Sequence, residues 1–108
     1  MERFYDLLFE ISNEYRYAIL VLLREKPLRI TDIAKKQNLT NQEISRHVSR
    51  LGEVGLTYKD VDGFYHLTPY GESIHILLEE LQFVSKHREY FVNHSIAHLK
   101  PEFVTWPS

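Results

Sequence analysis

Apolar residues recur along this chain at two different spacings, and the switches between them mark out its elements. Over 2–12, Phe4, Leu7, Leu8 and Ile11 fall at three- and four-residue intervals, the spacing of a short amphipathic helix. Ser12 or Asn13 can cap a second helix over 14–25, which Pro27 ends. Its apolar set of Tyr15, Ala18, Ile19, Leu22 and Leu23 covers one face broadly and marks it as the central core helix. Leu28 to Ile30 is too short for periodicity to decide and is compatible with a three-residue strand. Thr31-Asp32 then opens a short helix to about Gln37, with Ile33 and Ala34 inward and Lys35 and Lys36 outward, and Asn38-Leu39 turns the chain.

The helix expected over 41–52 is patterned differently. Thr40 followed by Glu43 is a capping-box pair. Ile44, Val48 and Leu51 form a narrow apolar seam, and Asn41, Gln42, Ser45, Arg46, His47, Ser49 and Arg50 leave the rest of the surface polar. Gly52 and Gly55 sit near its end, where a left-handed cap favours glycine. Runs 56–61 and 64–67 read as two strands joined by a two-residue Asp62-Gly63 loop. Thr68 caps, and Pro69 begins, a long final helix over 69–93 carrying Ile74, Leu77, Leu78, Leu81 and Val84. Residues 94–108, with two prolines, read as an irregular tail or linker. The expected fold class is mainly α with a small β-hairpin. It is a winged helix-turn-helix domain over 1–93, with an extra N-terminal helix and a long C-terminal helix.

A chain of 108 residues, 44% of them apolar, suffices for one domain with a modest core. The absence of cysteine excludes disulfides and thiolate zinc sites, and fits a reducing compartment. The longest apolar run, 18–23, falls far short of the roughly 20 residues a membrane helix needs, and the acidic N-terminus does not resemble a signal peptide. A soluble cytoplasmic protein is expected. The net charge of −2 divides unevenly: −2 over residues 1–23, +4 over 24–59 and −4 over 60–108. The basic segment holds the polar helix and both of its neighbours, as a local phosphate-binding surface requires.

A short helix, a turn, a capped helix with a bare polar face and then a hairpin is an arrangement suited to duplex DNA. A helix fits the major groove, and donors and acceptors on its outer face can read base edges. Asn41, Gln42, Ser45 and Arg46 are the base-edge candidates. Lys35, Lys36, Ser49 and Arg50 are candidate phosphate contacts, with Thr40 at the helix start. His47 has two readings, a phosphate contact or a packed, hydrogen-bonded residue beside the wing. In the wing, 57–67, Lys59 and Tyr65 are the candidate contacts, and Asp60 and Asp62 should repel phosphate and weaken minor-groove binding. The alternative is a winged-helix protein–protein interaction module without DNA contact, which would call for an apolar face on the 41–52 helix.

No carboxylate pair, nucleophile motif or glycine-rich phosphate loop suggests an enzyme. His87, His94 and His98 share a helical phase, but no neighbours complete a ligand set, so neither metal nor cofactor is expected. Phe4, Leu8, Ile74, Leu78 and Leu81 add apolar surface beyond the needs of one small core. They are read as the contacts of a homodimer, against the alternative that they dock a further domain. A two-fold dimer would set two recognition helices about 34–36 Å apart on a pseudo-palindromic site.

The run LTNQEISRHVSRLGEVGLTYK resembles the recognition-helix region of winged-helix repressors of the arsenic-repressor type and their multidrug-regulator relatives. Leu39, Thr40, Ser45, His47, Val48, Leu51, Gly55 and Leu56 fill the family's places, and the upstream NEYRYAIL resembles its first helix. The resemblance covers roughly residues 13–75 and implies a homodimeric, DNA-binding transcriptional regulator. Metal-sensing members use cysteines that this chain lacks, so thiolate sensing is not carried over. The long final helix followed by a His-Ser…Pro-Glu-Phe segment is also similar to archaeal two-domain transcriptional regulators, in which a sensing domain follows.

Overall fold

The computed structural model describes residues 2–93, and the tail expected over 94–108, with His94 and His98, lies outside them. The elements run α1 (Glu2–Ile11), α2 (Glu14–Glu25), α3 (Ile30–Gln37), α4 (Asn41–Glu53), β1 (Thr57–Lys59), β2 (Tyr65–Leu67), α5 (Pro69–Lys86) and α6 (Arg88–Asn93). Two compact units divide the chain, residues 1–76 and 77–108. The first holds α1 to α4, the hairpin and the opening turns of α5.

The core of the first unit is built from α2, α3, α4 and the start of the hairpin. Ile19, Leu20, Ile33, Ile44, Leu51 and Leu56 are completely enclosed, with Val48 nearly so. The buried seam of α2 runs through Arg16, Ile19, Leu20 and Leu23, while Tyr15 is exposed and Ala18 and Leu22 are half-buried. The expected face was therefore rotated, because Arg16 occupies an inward position that an apolar count passes over. Its long aliphatic stem allows that burial.

Helix ends account for most of the architecture. Asn13 caps α2, its Oδ1 accepting from the amides of Tyr15 at 2.9 Å and Arg16 at 3.0 Å. The expected helix start at Thr31 lies one residue late: α3 begins at Ile30, and its cap residue Arg29 contributes no side-chain bond. The strand expected over 28–30 is a single bridge, in which Leu28 and Tyr65 exchange backbone bonds of 3.2 and 2.7 Å.

At the end of α3, Asn38 adopts φ 58°, and the Leu39 amide reaches back to the Ala34 carbonyl at 3.0 Å. At the end of α4, Gly55 adopts φ 83°, and the Leu56 amide reaches the Leu51 carbonyl at 3.0 Å. Both are Schellman closures, in which one left-handed residue lets amides beyond the helix satisfy its last carbonyls. Gly52 stays helical, so only one of the two expected glycines forms the cap.

The hairpin pairs Thr57 with Leu67, Tyr58 with His66 and Lys59 with Tyr65. Its loop has three residues, Val61-Asp62-Gly63, where two were expected. Asp60 carries the ladder one step further, its amide donating to the Phe64 carbonyl at 2.8 Å, and Gly63 follows at φ 89°. A type I turn followed by a left-handed glycine is the usual three-residue solution.

Thr68 fastens the hairpin to α5. Its hydroxyl donates to the Gly55 carbonyl at 2.6 Å and accepts from the Gly71 amide at 2.9 Å, while its own amide donates to the Leu56 carbonyl at 3.0 Å. The helix expected over 69–93 is broken at His87, after which the Tyr90 amide makes a tight three-residue bond to the His87 carbonyl at 3.0 Å.

Thr68 draws α5 so close to Leu56 that Gly71 has no room for a side chain. A Cβ there would overlap the Leu56 carbonyl oxygen and lie 3.1 Å from its carbon. Because the obstacle is backbone, a shift must move a whole element. Gly71→Ala should therefore destabilise the domain by about 1–3 kcal/mol, read as a lower midpoint in thermal or urea denaturation. Gly52→Ala, whose Cβ would meet nothing closer than 3.7 Å, serves as the tolerated control.

Candidate nucleic-acid interface

The candidate surface is the outer side of α4. Its inner seam of Ile44, Val48 and Leu51 is buried, and this seam fixes which residues point away. Asn41, Gln42, Ser45, Arg46 and Ser49 are exposed, as are Lys35 and Lys36 in the last turn of α3. A left-handed Asn38 and a three-residue turn, 38–40, carry the chain from one helix to the next. Thr40 caps α4, its Oγ1 accepting from the Glu43 amide at 3.1 Å. That hydroxyl keeps its proton as a donor. Basic side chains thus flank a polar strip that can pair with base edges.

Two expected contacts are held by other parts of the protein. Arg50 is clasped by Glu10 of α1, with Nε 2.8 Å from Oε1 and Nη2 3.1 Å from Oε2. This two-pronged bond raises the Arg50 pKa further, and the guanidinium also lies 5.7 Å above the Phe9 ring. Glu10 is itself only 8% exposed and is shared with Arg16, whose Nε donates to the Glu10 carbonyl at 2.7 Å and lies 3.3 Å from Oε1. Burial lowers the Arg16 pKa, and the Glu10 charge works against that fall. Arg16 remains charged, as guanidinium groups in proteins do.

His47 belongs to the same cluster. Its Nδ1 lies 3.3 Å from Arg16 Nη1, and its ring stacks on Tyr15 at 6.0 Å between centroids. A guanidinium can only donate, so Nδ1 must accept and the imidazole proton sits on Nε2. Burial first, then the positive charges of Arg16 and Arg46, push the His47 pKa below its ordinary value. Of the two readings of His47, the packed, hydrogen-bonded one describes its geometry, although its neighbours are α2 and its own helix rather than the wing. Glu10 and Arg16 were missed at the sequence level. The available signal was an arginine on the buried phase of α2, matched by an acid at the end of α1.

The wing also differs in detail. Asp60 accepts from the amides of Asp62 at 2.9 Å and Phe64 at 3.0 Å through Oδ1, and pairs with His66 Nε2 at 2.7 Å through Oδ2. These bonds, the one with His66 foremost, hold its pKa below the usual carboxylate range. The charge expected to repel phosphate is therefore engaged inside the loop, while Asp62 stays exposed. Tyr65 shares the hairpin face of Thr57 and Leu67, which are buried, and is itself half-buried. The exposed aromatic residue is Tyr58 on the opposite face, stacked 4.8 Å from His66. Lys59 is exposed as expected, and Arg29 reaches over the Phe64 ring at 4.5 Å.

Comparison with known proteins gives a consistent picture. The profile of the bacterial regulatory protein, arsR family, matches residues 13–59. No curated protein shows significant sequence similarity to the chain. Among solved structures, HlyU from Vibrio cholerae is 27% identical over 74% of this chain and 91% of its own, with a TM-score of 0.62. The transcriptional regulator HlyU from Vibrio vulnificus is 29% identical, covering 70% and 83%, with a TM-score of 0.57. The homodimeric winged helix-turn-helix DNA-binding domain of Mb0332 from Mycobacterium bovis has a TM-score of 0.71 over 87% and 88% at 21% identity, a likeness of fold.

The depressed His47 pKa makes a signed prediction. Unfolding frees an ordinary imidazole that takes up a proton at about pH 6.5, above the pH at which the folded ring does so. Stability contributed by the neutral ring is thus complete above that pH and is lost as the pH falls toward the folded value. The His47 ring should titrate in NMR with a midpoint below 6.5. Urea denaturation of His47→Gln should show a smaller loss of stability between neutral and mildly acidic pH than the parent protein. A midpoint at or above 6.5 would contradict the assigned environment.

Proposed function

We propose that this chain, whose residues 13–59 match the arsR-family profile, is a DNA-binding transcriptional regulator that reads the major groove of duplex DNA with the outer face of α4. The observation that carries the reading is that face itself. Gln42, Arg46 and Ser49 stand exposed opposite the buried Ile44–Val48–Leu51 seam, with Lys35 and Lys36 beside them to hold phosphate. An interaction module would need apolar side chains where these polar ones stand. Asn41 and Ser45 extend the strip, and the exposed Lys59 gives the wing a contact for the DNA backbone. No helix among the described residues is long and apolar enough to cross a membrane. Action in the cytoplasm, where DNA is accessible, follows from this function.

The regulator acts as a homodimer on a pseudo-palindromic site. Phe4 is 53% exposed and Leu8 41% exposed on α1, and Leu81 is 63% exposed on α5, where Ile74 and Leu78 are half-buried. Apolar surface of this extent on a small domain favours association. The Mb0332 domain, which shares the fold, is homodimeric.

Two experiments test these statements. With a duplex selected from a random library as probe, Arg46→Ala and Gln42→Ala should each weaken binding by about 1–3 kcal/mol and relax preference at one or two base pairs. Lys36→Ala should weaken all sequences alike. Unchanged affinity and preference in both α4 variants would remove α4 from the interface. In analytical ultracentrifugation the chain should sediment as a dimer at micromolar concentration, and Phe4→Ser with Leu8→Ser should shift it toward monomer. A monomeric parent protein would refute the dimer.

A further inference from the structure

The clasp between α1 and α4 stands at the edge of the surface assigned to DNA. Glu10, Arg16, Arg50 and His47 meet there, beside an open groove of about 600 Å³ lined by Phe9, Arg46, Ser49 and Arg50. Within the clasp, Arg50 presents one edge to Glu10 in the two-pronged geometry that arginine also uses toward phosphate. Its side chain nevertheless remains 45% exposed. Glu10 is held from behind by Arg16, so the carboxylate is fixed before DNA arrives.

We propose that Glu10 is a specificity-determining residue that acts as an internal counter-ion, occupying Arg50 as a phosphate would and keeping that cation from binding DNA of any sequence. The inference rests on the reading of α4 as the DNA-binding helix. Phosphate contacts give affinity without sequence information, and each one adds to the salt dependence of binding. An arginine beside the reading strip that bound any phosphate would raise affinity for all DNA and dilute the preference set by Gln42 and Arg46. A carboxylate already seated on it removes that sequence-independent contribution and leaves the base-reading side chains unaffected. The cluster suits this role because two arginines share one carboxylate. Arg16 keeps Glu10 in place, and Arg50 is the partner with an exposed edge.

The test compares the full chain with Glu10→Gln on two probes, a mixed-sequence duplex and a duplex selected for the parent protein, by fluorescence anisotropy over a range of salt concentrations. Glutamine keeps an acceptor for Arg16 but removes the charge that retains Arg50. Glu10→Gln should bind the mixed-sequence duplex several-fold more tightly at low salt. The slope of log affinity against log salt should steepen by about 0.9, the value for one added phosphate contact. The ratio of selected to mixed-sequence affinity should fall, and adding Arg50→Ala to Glu10→Gln should remove both the added slope and the tighter binding. A purely structural clasp predicts otherwise: a lower Tm, no tighter binding and an unchanged slope, and that result overturns the proposal. If Glu10→Gln fails to fold, Arg50→Gln in the parent decides: an Arg50 occupied by Glu10 predicts an unchanged salt slope, and an Arg50 already bound to phosphate predicts a slope shallower by about 0.9, which overturns the proposal. If the parent protein binds neither duplex, the assignment of α4 fails. If the parent binds and Glu10→Gln binds no tighter, only the role of Glu10 fails.

Discussion

A helix that reads a groove must leave most of its circumference bare, so few side chains remain to hold it. α4 spends Ile44, Val48 and Leu51 on the core and almost nothing else. Every neighbouring feature compensates for that narrow seam. Thr40 satisfies an amide at its start, Gly55 closes its end, Asn38 closes the helix before it, and Glu10 grips Arg50 from the side. These are short-range devices, of which the Thr40 cap is worth about 1 kcal/mol. They fix the direction of α4 without covering the surface it needs.

The buried charges follow from the same constraint. An aliphatic residue at position 16 would fill the α2 seam, but it could not reach both the Glu10 carboxylate and the His47 ring. Arg16 does reach both, and in doing so it orients the imidazole with its proton on Nε2. Burying a charged pair costs desolvation energy, and removing one partner strands the other. The arrangement therefore fixes relative position and tautomer more than it raises total stability. One buried arginine thereby connects α1, α2 and α4.

Elements whose signals are local were legible in the sequence. The caps at Thr40 and Thr68 and the Ile44–Val48–Leu51 seam could be read from residue type and spacing, while the choice of Asn13 over Ser12 and of Gly55 over Gly52 could not. What escaped depends on partners distant in the chain. The rotated face of α2 turns on Arg16 finding Glu10 and His47, which no apolar periodicity reports. Asp60 looks like a repulsive surface charge until the loop folds its carboxylate onto two amides and His66. The side of the hairpin on which Tyr65 falls depends on strand register, and a loop longer by one residue changes that register. His87 breaks the last long helix with neither proline nor glycine at the break.

The contact between Gly71 and Leu56 has a consequence for how such a domain can diversify. Where backbone meets backbone, no side chain can be added at Gly71 without displacing α5, so the distance in space between Leu56 and Gly71 is a fixed dimension. The hairpin tip lies within that interval yet is free of that contact, since Val61 there is fully exposed. Lengthening such a loop costs only about 0.6 kcal/mol per doubling. Evolution or design can therefore vary the wing tip to change its reach along DNA, while the base of the same hairpin stays at a fixed distance from α5.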